Sequence, residues 1–105
     1  LSKNAAGESG SAIIGLLTIE LHFPEAQSLK AKRMVVKSIK ERLVSRHHVA
    51  VAETGYLELW QRAELSVVSV SGTRHVLQSQ LEKIQSELEN NYSSELVGTE
   101  MELIE

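Results

Sequence analysis

Two stretches with the helical spacing of apolar residues, 29–46 and 74–91, each lie between stretches that alternate with a period of two. In the first alternating stretch, predicted as a strand over 12–23, Leu17, Ile19, Leu21 and Phe23 share one side. Thr18, Glu20 and His22 share the other. Pro24 has no N–H to donate and ends the strand. Ser28 stands where a side-chain oxygen caps the following helix. At about 100° per residue, Leu29, Val36, Ile39 and Leu43 of that helix fall on one side, with Val35 beside them. In the second helix Leu77, Leu81, Ile84 and Leu88 are spaced by four, three and four, and Tyr92 extends the row. Further strands are predicted at 48–52, reaching Gly55, at 62–71 and at 95–105, with 56–61 as a short connector. In the third strand Leu65 and Val67 have one parity and Val68 and Val70 the other. That phase change predicts a bulge or a strand buried on both faces. In the last strand Val97, Met101 and Leu103 share a parity.

The order strand, helix, strand, strand, helix, strand is the split βαβ arrangement. It predicts an α+β ferredoxin-like sandwich, with a four-stranded antiparallel sheet and both helices on one face. The opposite face is left open, and Thr18, Glu20 and His22 point to it, as do Ile14 and Leu16. At 105 residues the chain suits one such domain, assigned to 12–105. Residues 1–11, rich in Ser, Gly and Ala, are assigned to a flexible leader.

Charge is distributed unevenly. Seven of the eleven basic residues lie in the first helix: Lys30, Lys32, Arg33, Lys37, Lys40, Arg42 and Arg46. From Glu82 to Glu105 there are seven glutamates and one base, Lys83. The net charge of −3 does not favour nucleic acid globally, so the uneven distribution matters more than the total. The absence of cysteine excludes disulfides, thiolate metal sites and thiol catalysis, and fits a cytoplasmic setting. No apolar run has the length of a membrane span, and no secretory signal is visible.

The stretch from Thr18 to Ser38, containing Ser28-Leu-Lys-Ala-Lys-Arg33, resembles the opening of the YlxP-like bacterial family. Val49-Ala-Val-Ala-Glu53 and Leu59-Trp-Gln-Arg-Ala-Glu-Leu65 are similar to its middle. The resemblance spans 13–104. It implies a small ferredoxin-like protein of unassigned activity, whose gene neighbours suggest a translation-related role. The leader before Ile13, and Met34 where smaller or polar residues are usual, depart from the family pattern.

Lys30, Arg33 and Lys37 form a stripe flanked by Lys40, with a spacing that can meet successive phosphates. Lys32 falls in the apolar sector, where its stem snorkels past the core edge or its ammonium has a specific partner. Lys32 and Arg62 are secondary candidates for nucleic-acid contact. Trp60 could stack on a base or anchor a protein, but as the only tryptophan of a small core it is expected to pack over the sheet edge, with Arg62 pairing Glu20, Glu53 or Glu64. The strands lack the aromatics with which RRM sheets stack bases. Ile14, Leu16, Thr18, Glu20, His22 and Trp60 are candidate interface residues. His47 and His48, read as strand neighbours, point oppositely and cannot share an ion. Glu20 and Glu53 on adjacent strands would be the one carboxylate pair. No catalytic, cofactor or metal set is expected. The sequence therefore predicts a non-enzymatic, ribosome- or RNA-associated binding protein. A homo-oligomer or protein adaptor using the open face is the alternative, and a small-molecule regulatory domain a third, on fold analogy.

Overall fold

The structure is a computed structural model and describes residues 11–105. The predicted leader, apart from Ser11, lies outside the described residues. The elements are β1 (Ile13–His22), α1 (Leu29–His47), β2 (Ala50–Gly55), β3 (Arg62–Ser71), α2 (Arg74–Asn91) and β4 (Leu96–Ile104). The four strands form one antiparallel sheet in the order β2-β3-β1-β4. With the two helices this is the ferredoxin-like α+β fold.

One core forms between the sheet and both helices. Leu17, Ile19 and Leu21 of β1 and Ala63, Leu65 and Val67 of β3 meet Val36, Ile39 and Leu43 of α1. Leu81, Ile84 and Leu88 of α2 complete it, and Tyr92 packs against it as the expected end of the α2 row. Phe23 is buried at the end of β1, as its parity requires. Ser28 caps α1, its hydroxyl oxygen accepting from Ala31 N at 2.9 Å. Gly15 lies under α2, where an added Cβ would come within 2.8 Å of Leu81 Cδ1, so the small residue lets the helix seat on the strand.

Three local expectations are corrected. β3 has no phase change: its pairing with β1 runs unbroken from Ile13↔Ser71 to His22↔Arg62. The polarity of its two faces switches instead. Ser69 points inward and donates to Gln80 Oε1 at 2.6 Å, while Val68 and Val70 turn outward opposite Leu16 and Ile14. In β4 the register with β1 shifts between Glu20 and Leu21, so Leu96 pairs with Leu21 and Val97 is expelled to solvent. Val97 thus leaves the inward row of Met101 and Leu103. His47 and His48 are not strand neighbours. His47 ends α1, and His48 is its left-handed C-cap at φ 55°.

Candidate nucleic-acid interface

The basic helix divides into three groups of cations with different fates. The first is a single residue. Lys32 occupies the core row of α1 with Val36, Ile39 and Leu43, and its side chain is 0% exposed. Its ammonium donates to Tyr56 O at 2.8 Å and Arg62 O at 3.1 Å, with Leu57 O at 3.4 Å. Glu53 Oε2 stands 3.0 Å away; it accepts no well-aligned hydrogen bond, so that contact is ionic. Lys32 therefore closes the neck of the 56–61 loop. It does not snorkel, and it offers no charge to an external phosphate. This corrects its place among the nucleic-acid candidates.

The second group faces α2. Arg42 Nε and Arg46 Nε each lie 3.3 Å from Glu87, and His47 Nε2 lies 2.9 Å from Glu87 Oε1. Glu87 is largely buried, so the two guanidinium groups are tied to a carboxylate of the molecule itself.

The third group is Lys30, Arg33, Lys37 and Lys40. At about 100° per residue the four lie within about 80° of one another and at least about 120° from Arg42 and Arg46. Lys30, Arg33 and Lys37 are exposed and Lys40 is half-buried. Lys37 has a loose partner one turn on, Glu41 at 4.0 Å on an exposed surface. Among the described residues, Lys30, Arg33 and Lys40 have no ion pair. The stripe spans about 15 Å along the axis.

Beside the N-terminal half of α1, the 56–61 loop is pinned at several points. Gln61 Nε2 donates to Pro24 O at 3.1 Å and Ala26 O at 3.2 Å, and Gln61 O accepts from Phe23 N at 2.8 Å. Leu59 N donates to Tyr56 O at 3.0 Å, and Tyr56 adopts a left-handed φ of 56°. Arg62 pairs with Glu20, donates to Tyr56 Oη at 3.0 Å and lies 4.1 Å over the Tyr56 ring. The Glu20 hydrogen bond raises the Arg62 pKa above its ordinary value, against a smaller opposing effect of burial. Arg62 is thus committed within the molecule. Trp60 is not packed over the sheet edge; it is 52% exposed, and Leu57 and Leu59 are exposed with it. Of the two readings of Trp60, packed over the sheet edge or exposed, the second describes it, and Leu57 and Leu59 share its exposure.

The candidate interface residues do not form one surface. Ile14 and Leu16 lie at one end of the open face with Val68, Val70 and Ile104. Thr18 and Glu20 occupy its middle with Glu64 and Glu100. His22, about 26 Å along β1 from Ile14, instead lines a hollow with Trp60, Leu59, Glu58, Gln61 and Arg62. Glu20 and Glu53 do not meet, because β3 separates their strands and Glu53, opposite Leu65, faces the helix side. Among the described residues no group of three acidic, histidine or cysteine side chains has metal-binding geometry. No described helix is long and apolar enough to cross a membrane.

The family model described as "Protein of unknown function (DUF503)" matches residues 14–101. The "Uncharacterized protein YlxP" of Bacillus subtilis (strain 168) is 33% identical over 72 residues, covering 69% of this chain and 78% of the relative. The matched region takes in β1 from Ile14, then α1, β2, β3, α2 and β4 as far as Met101. The chain belongs to the DUF503 family of YlxP-like proteins.

Proposed function

We propose that this protein is a non-enzymatic binding protein that holds RNA phosphates, as part of a ribosomal or other RNA assembly, along the Lys30–Arg33–Lys37–Lys40 stripe of α1. The observation that carries this reading is the sorting of the helix cations: Lys32 is paired internally and Arg42 and Arg46 share the Glu87 carboxylate, whereas three of the four stripe cations have no ion pair among the described residues. Uncommitted cations about a turn apart suit a phosphate backbone and carry no sequence information themselves. Amide and side-chain NMR shifts during titration with an oligonucleotide test the location. Perturbations concentrated at Lys30, Arg33, Lys37 and Lys40 are expected; perturbations confined to β1 and β3 outward residues contradict the reading.

A second reading is self-association through the open face, favoured by the contiguous exposure of Ile14, Val68, Val70 and Ile104. Shifts at these residues that depend on protein concentration, with no oligonucleotide present, would support it. Their absence up to millimolar protein would eliminate it.

A further inference from the structure

We infer that the hollow beside Trp60 receives an unstacked base, so that the polyanion this protein prefers is a single-stranded nucleic acid. The inference rests on the phosphate-binding role of α1 and names the class of strand that role serves. Trp60, His22, Leu59, Gln61 and Arg62, with Glu58, line a hollow of about 550 Å³, and the indole is half exposed. Nothing about this exposure is loose. The Lys32 ammonium fixes the loop neck at the Tyr56 and Arg62 carbonyls, and the Gln61 amide ties its far side to the β1–α1 connection. A rigid aromatic face loses little entropy on binding.

The chemistry of the hollow selects what enters it. Glu58 repels a phosphate, and Arg62 is already paired with Glu20, so the hollow does not suit the backbone of a strand. It suits the uncharged face of a base, for which tryptophan is a stacking platform. Phosphates have their own site on α1. Lys30 and Arg33 share a helix turn with the residue whose ammonium holds the loop neck, while His22 and Arg62 place the hollow at the same end of the sheet on its open side. A duplex cannot offer a base face there without unstacking, whereas a single strand can lie on the stripe and turn one base onto Trp60.

Trp60 is the only tryptophan in the chain, so its fluorescence reports this contact alone. The full chain is titrated with a short oligoadenylate, with an abasic strand of equal phosphate count, and with a duplex of equal phosphate count. Saturable quenching is expected with the oligoadenylate and not with the other two. Trp60→Ala should weaken oligoadenylate binding about fivefold to a hundredfold, Trp60→Phe should restore most of it, and neither should shift the melting temperature. Equal affinity of Trp60→Ala and wild type, with binding still abolished by high salt, overturns stacking while sparing the phosphate role, and leaves the apolar loop to a protein partner. Equal quenching by the abasic strand overturns it too. No binding of any strand at low salt overturns both.

Discussion

Replacing Lys32 by methionine is expected to destabilise the fold by about 3–5 kcal/mol, the usual cost of stripping one partner from a buried ion pair. Methionine fills much of the same volume, so packing against Val36 and Ile39 changes little. The loss comes from the groups left behind. Glu53 is left at 16% exposure with no cation beside it, and the Tyr56 and Arg62 carbonyls lose their donor. Glu53→Gln should cost less, because the ammonium retains those carbonyls. The double variant should recover part of the Lys32→Met loss, since no uncompensated carboxylate remains. Urea unfolding midpoints at constant slope measure all three. A loss below about 1 kcal/mol for Lys32→Met, with weakened oligonucleotide binding instead, would return Lys32 to the binding surface.

Reversing Lys30, Arg33 and Lys37 to glutamate should lower RNA affinity by at least about a hundredfold, because each position loses a charge-assisted contact and gains a repulsive one. Stability should change little. Exposed charges away from special features shift folding by about half a kcal/mol each, and the only pair removed is the loose Lys37–Glu41 contact at 4.0 Å. The informative control is Arg42 and Arg46 changed to glutamine. These residues share the helix but pair with Glu87. Their loss should reduce stability and leave affinity within a few-fold of wild type. Equal affinity losses from both sets, measured by fluorescence anisotropy, would mean that total charge matters and the stripe does not.

The architecture was legible because each element carries its own period. Leu17, Ile19 and Leu21 on β1, and the α2 row from Leu77 to Leu88, name their buried faces without any knowledge of what they touch. The misreadings arose where a partner lies far along the chain. Lys32 reads either as a snorkelling first-turn lysine or as an ammonium with a specific partner, and only its acceptors, 24 and 30 residues on, decide for the second. Its place in the four-three-four row with Val36, Ile39 and Leu43 was the available signal. Trp60 reads as core because tryptophan usually is; only the pinned neck explains its exposure. Glu87 gathers three α1 side chains from a distant helix, and no local pattern marks it. The outward valines of β3 mimic a slipped strand, since alternation cannot tell a polarity switch from a change of register.

The central claim is that α1 meets phosphates by charge, and the salt dependence of affinity for a single-stranded oligonucleotide tests it most directly. Four phosphate contacts predict that log affinity falls against log salt with a slope near −3, and that each Lys→Gln change within the stripe makes it shallower by about 0.7. A slope near zero, or one unchanged when the stripe is neutralised, would contradict the account.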